Sequence, residues 1–124
     1  MEVLYASPKI EKICTSVKEA QKAFGGNISY AHSLMARINA LKQAPTLHDI
    51  IVQKHFRFHN LEHKKGRDLR GLYAIDVKTK HDKWRLILEP LDENKEPYTD
   101  QRIDQIANKV RVIMVEEVSK HYEK

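Results

Sequence analysis

Four kinds of side chain in this sequence could act together on a phosphodiester: arginines, histidines, a lysine and a tyrosine. Arg57, His59, Arg67, Arg70 and Arg85 lie in the middle of the chain, and Lys120, His121 and Tyr122 lie near its C-terminal end. Such a set can cut RNA without a metal. A base removes the proton of a ribose 2′-hydroxyl, the freed oxygen attacks the adjacent phosphorus, and an acid protonates the departing 5′-oxygen. Histidine exchanges protons near neutral pH. A planar guanidinium donates two hydrogen bonds to phosphate oxygens and stays charged while negative charge builds. Taken singly, each residue has an ordinary explanation: a basic side chain on a strand is usually just solvated, and a terminal His-Tyr pair is usually frayed. Their order and surroundings make them candidates.

A metal site is the competing use of the histidines, since His55, His59 and His63 recur every four residues. The alternation of Phe56 and Phe58 with Arg57 and His59 reads as a strand, on which residues four apart are separated by roughly 13 Å, too far for one ion. Arg57 between two of them would also repel a cation. No metal and no cofactor is expected. Gly25-Gly26 is the only glycine cluster, so no glycine-rich phosphate loop is present. The single Cys14 falls at helical spacing with Ile10, Ile13 and Val17 and reads as a small core hydrophobe rather than a nucleophile.

Charge is unevenly distributed. Residues 54 to 85 hold ten Lys or Arg against four Asp or Glu, while residues 86 to 124 hold six against nine. The basic middle would attract a polyanion, and Lys64, Lys65, Arg67 and Arg70 form a basic loop suited to phosphate contact. The apolar fraction of 41% suffices for one modest core, and 124 residues without a linker fit one domain spanning 1–124. No apolar run approaches the roughly 20 residues of a membrane span. The first residues also lack a secretory leader's basic flank and apolar run, so a cytoplasmic protein is expected.

The elements that must position these residues follow from periodicity. Glu2 to Ala6 reads as a strand. Ser7-Pro8 then starts a helix running to Phe24, with Ile10, Ile13, Cys14, Val17, Ala20 and Phe24 on one face. After Gly25-Gly26, Asn27 caps a second helix ending near Gln43, with Ile28, Ala31, Leu34, Met35, Ile38 and Leu41 as its apolar stripe, and the two should pack as a hairpin. Thr46 to Asp49 resembles a cap for a short helical turn. Arg57 to His59, Leu72 to Lys78 and Trp84 to Glu89 read as strands of a meander, and Lys109 to Ser119 as a last strand. Residues 90 to 108 form an acidic stretch with one short helical turn around 102 to 107. The sum is an α+β fold: an N-terminal helix hairpin packed on a twisted antiparallel sheet.

Two N-terminal helices, Arg57-Phe58-His59-Asn60-Leu61, the strand Leu72 to Val77, Trp84-Arg85-Leu86-Ile87, and a final strand ending in Ser119-Lys120-His121-Tyr122 together resemble a HigB-type toxin of the RelE/ParE superfamily. The resemblance covers most of residues 46 to 122. It implies a RelE-like fold and a metal-independent, ribosome-dependent mRNA endonuclease. It also implies a cognate antitoxin partner, often a helix-turn-helix protein, and acidic side chains would suit an interface with the basic middle of this chain. By position it gives His59 and His121 acid/base roles and sets Arg85 near the scissile phosphate. Ser119 and Lys120 stand where the family pattern has Asp and Tyr, so Lys120 could hold phosphate and Tyr122 supply the displaced phenol. Two alternatives stay open: a ParE-like gyrase poison without chemistry, and a non-catalytic nucleic-acid-binding module.

Overall fold

The computed structural model describes residues 1–61, 69–98 and 102–122; Lys64, Lys65 and Arg67 of the basic loop lie outside the described residues. Strand β1 (Glu2–Tyr5) leads into α1 (Pro8–Thr15), where Ser7 Oγ accepts from the Ile10 amide and Pro8 occupies the first turn. The expected single helix to Phe24 is in fact two. Ser16 adopts an extended conformation, and its hydroxyl accepts from the Glu19 amide to cap α2 (Val17–Ala23). An extended residue cannot continue a helix, and a serine that caps the next one compensates for the break.

Gly25 and Gly26, both at positive φ, turn the chain into α3 (Ile28–Gln43), whose amide at Tyr30 donates to the Asn27 side chain. Ala31, Leu34, Ile38 and Leu41 of α3 are buried, as the stripe required, whereas Ile28 is 44% exposed. Thr46 donates from both its amide and its hydroxyl to the Asp49 carboxylate at the start of α4 (His48–Ile51). A 3-10 turn, Lys54–Phe56, and Arg57 in the left-handed region replace the strand expected across Arg57 to His59. The strand β2 is only His59–Asn60.

β2 pairs antiparallel with β3 (Tyr73–Asp76), β3 with β4 (Arg85–Leu91), and β4 with β5 (Val112–Ser119). The meander stands, but the sheet is not purely antiparallel. β1 lies at the edge and runs parallel to β5, Glu2 opposite Val112 and Tyr5 opposite Val115. A parallel partner needs a long crossover, and here the helices and three strands supply it. β4 also runs further than expected, through Pro90 and Leu91. β3 begins opposite Leu88, so beyond that point Pro90 has a strand on one side only and its missing N–H breaks no ladder. The short helix α5 (Ile103–Ile106) precedes β5.

One sheet face, with Ile75, Leu86, Leu88, Ile113 and Val115, packs with Val77 just past β3, with Leu47 just before α4 and with the helical residues Leu34, Leu41 and Ile50 into the main core. The opposite face carries a smaller cluster of Leu61, Leu69, Ala74, Ile87 and Tyr122. Cys14 is buried in the main core, and burial pushes its thiol up to about 12, so no reactive thiolate forms near neutral pH. Among the described residues no helix is long and apolar enough to cross a membrane.

Candidate active site

Strand alternation decides which side chains share the face opposite the main core. Asp76, Arg85 and Ser119 lie side by side across β3, β4 and β5, and His59, Ala74, Ile87 and Glu117 form the next row across β2 to β5. A β-bulge between Ile87 and Leu88, with Glu116 as the extra residue on β5, makes the second half of this possible. Without it, strict alternation would put Glu117 on the same side as Val115, in the core. With it, Glu117 and Ser119 face Ile87 and Arg85, and Val118 turns to the main core.

Asp76 is the centre of the arrangement. Its side chain is 2% exposed, with Arg85 Nε 3.3 Å from Oδ1 and Arg57 Nε 3.5 Å from Oδ2. Burial pushes its carboxyl above the ordinary carboxylate range, while the charges of Arg85, Arg57 and His59 pull it back. Arg57 reaches it from an unusual backbone position, φ 50° and ψ 50°. The same residue's carbonyl lies 2.6 Å from His59 Nδ1. A carbonyl can only accept, so Nδ1 carries the proton and Nε2 is the ring's basic nitrogen when the imidazole is neutral. Phe58 stacks on Tyr73 with ring centroids 5.0 Å apart, which holds the segment against the sheet.

Arg85 is buried. Nη1 donates to the Trp84 carbonyl at 2.8 Å and the Thr79 carbonyl at 3.4 Å, Nη2 donates to the Lys80 carbonyl at 3.4 Å, and Asp82 lies 3.7 Å from Nη1. Asp82 in turn accepts from the amide and hydroxyl of Thr79 and from the Trp84 amide. Arg85 is therefore the anchor of the 79–84 loop as well as the partner of Asp76. Arg57, with a side chain 36% exposed, is the guanidinium of the pair with access to a ligand.

The C-terminal residues separate. Ser119 is buried and its hydroxyl accepts from the His121 amide, closing a turn. His121 is exposed just past the strand end that lies beside Arg85. Lys120 points away from this group, its Nζ 5.7 Å from the Trp84 ring centroid, and Trp84 packs against the main core. Tyr122 is 8% exposed, packs with Leu61, Leu69, Ala74 and Ile87, and donates from its hydroxyl to Glu117 at 2.7 Å. It is the lid of the smaller apolar cluster. Arg70 is exposed in the turn before β3. The structure thus gathers Arg57, His59 and Arg85, sets His121 past the strand end beside Arg85, places the exposed Lys120 ammonium over the Trp84 ring, and packs Tyr122 into the smaller cluster.

Asp76 was not singled out from sequence, although a signal was there. It is the one acidic residue in the otherwise apolar run Leu72 to Val77, and a carboxylate in such a strand has to be paired when buried. Among the described residues no group of three or more His, Cys, Asp and Glu is placed to hold a metal ion; His55 sits in the 3-10 turn, its ring 4.2 Å from that of Phe56. No protein-family model, curated protein or solved structure matches this chain, so the site's own geometry carries its reading.

Proposed function

We propose that this protein is a RelE-like toxin that cleaves mRNA on the ribosome without a metal, through His59 and His121, with a cognate antitoxin as its partner. The observation that carries the reading is the meeting of Arg57, His59 and Arg85 around Asp76 on one sheet face. In this reading His59 Nε2 takes the 2′-hydroxyl proton, the 2′-oxygen bonds to phosphorus, and the bond to the 5′-oxygen breaks. His121, protonated, returns a proton to that oxygen. The products are a 2′,3′-cyclic phosphate and a 5′-hydroxyl. Arg57 steadies the charge on the phosphorane, and Asp76 with Arg85 holds Arg57 in place. The ribosome presents a single strand in a geometry suited to in-line attack, which a shallow face could not impose by itself.

The test is incubation of purified protein with programmed ribosomes, followed by mapping of new mRNA ends. New ends with 5′-hydroxyls, abolished by His59→Ala, are expected. Intact messages under conditions that arrest translation would overturn the nuclease reading. One observation favours the non-catalytic alternative: Arg85 is already committed to Asp76, Asp82 and three backbone carbonyls. That alternative predicts salt-sensitive binding of RNA or DNA with no cut.

A further inference from the structure

On the helical side of the molecule, the break at Ser16 opens a groove between α1 and α2 of about 420 Å³, lined by Lys9, Lys12, Ile13, Glu19, Lys22 and Ala23. The lining follows one pattern on both helices. Lys9, Lys12 and Ile13 stand at i, i+3 and i+4 of α1, and Glu19, Lys22 and Ala23 stand at i, i+3 and i+4 of α2, so each helix turns one stripe to the groove. Ile13 and Ala23 are half-buried and supply an apolar floor, while the three lysines are exposed and form its rim. Glu19 lies 3.9 Å from Lys22 and neutralises one of them, which leaves Lys9 and Lys12 as cations without a carboxylate among the groove residues.

We infer that this groove docks an amphipathic helix of a protein partner, with small apolar side chains facing Ile13 and Ala23 and acidic side chains facing Lys9 and Lys12. Charge complementarity selects the partner's chemistry. A nucleic acid would gain nothing from the apolar floor, whereas a helix with a narrow apolar stripe and acidic flanks uses both the floor and the lysine rim. The groove is independent of the sheet face described above and the inference does not rest on the nuclease reading.

The probe is a synthetic helical peptide of about 15 residues with Ala and Leu on one face and Glu on the flanks, titrated into the isotopically labelled protein and followed by amide chemical shifts. Shifts centred on Lys9, Lys12, Ile13, Lys22 and Ala23 are expected, and Lys9→Glu with Lys12→Glu should weaken binding by roughly tenfold or more. The same peptide with Lys in place of Glu should bind no better than the doubly substituted protein binds the acidic one. Equal shifts from the lysine peptide, or the same residues responding to a single-stranded oligonucleotide instead, would overturn the inference. So would dimerisation of the chain that is lost in the double variant, because the groove would then belong to a second copy. Thermal unfolding of the variant controls for folding, and two exposed lysine substitutions should leave it near the parent value.

Discussion

Arg85 and Asp76 set the terms at the residue scale. Both are buried, and removing one member of such a pair strands the other in a poorly solvated site, at a cost of about 3–5 kcal/mol. Arg85→Met is therefore expected to lower the urea midpoint by a corresponding amount, and adding Asp76→Leu should restore much of it; a loss under about 1 kcal/mol for the single variant would mean that the pair does not hold the 79–84 loop. Arg57 behaves differently. A non-glycine residue at φ 50° carries strain of roughly 1 kcal/mol, which glycine relieves. Arg57→Gly should thus leave stability within about 1 kcal/mol of the parent and, under the proposed nuclease function, slow mRNA cleavage about 100-fold. Unchanged cleavage rates would remove Arg57 from the phosphate.

Two elements turn on single hydroxyls. Ser16 ends α1 and caps α2, and Ser16→Ala should cost about 1 kcal/mol in chemical denaturation, the usual price of a lost cap. The C-terminal turn depends on Tyr122, whose ring closes the smaller cluster and whose hydroxyl meets Glu117. Tyr122→Phe keeps the ring and should cost about 1 kcal/mol, whereas Tyr122→Ala opens the cluster and should cost about 3 kcal/mol. Under the proposed nuclease function, cleavage that survives the phenylalanine substitution would exclude the phenol from proton transfer, in keeping with its packing in the smaller cluster.

The molecule as a whole inherits a pH dependence from the β-bulge. Glu89 and Glu116 share a hydrogen bond there, and burial together with the neighbouring carboxyl raises Glu89 from 4.5 to about 7. The folded state keeps a proton that the unfolded chain releases between those values, so stability is greatest below the unfolded value and falls as pH rises from about 4.5 to about 7. Because the site is partly solvated, the loss should be on the order of 1 kcal/mol rather than the full value of the shift. Glu89→Gln should flatten this slope and be the more stable protein above pH about 7, as read by urea unfolding across that range. A slope unchanged by the substitution would assign it to other groups.

Local chemistry was enough for several features of this chain. The caps at Ser7 and Asn27, the stripe of α3, the core place of Cys14 and the strands around Ala74 and Ile87 are all signalled by residue patterns a few positions long, which a sequence records directly. The grouping of Arg57 with Arg85 was foreshadowed by residue type and order. Tertiary structure decided what spacing cannot express. The parallel docking of β1 joins residues more than a hundred positions apart. The bulge at Glu116 shifts the alternation of β5 and so chooses which of Glu117, Val118, Ser119 and Lys120 face the candidate site. Arg85 became an anchor rather than an exposed phosphate ligand because Asp76 and the carbonyls of 79, 80 and 84 reach it first. A buried charge takes its role from the partners that surround it, and those partners come from separate strands and loops brought together only by folding.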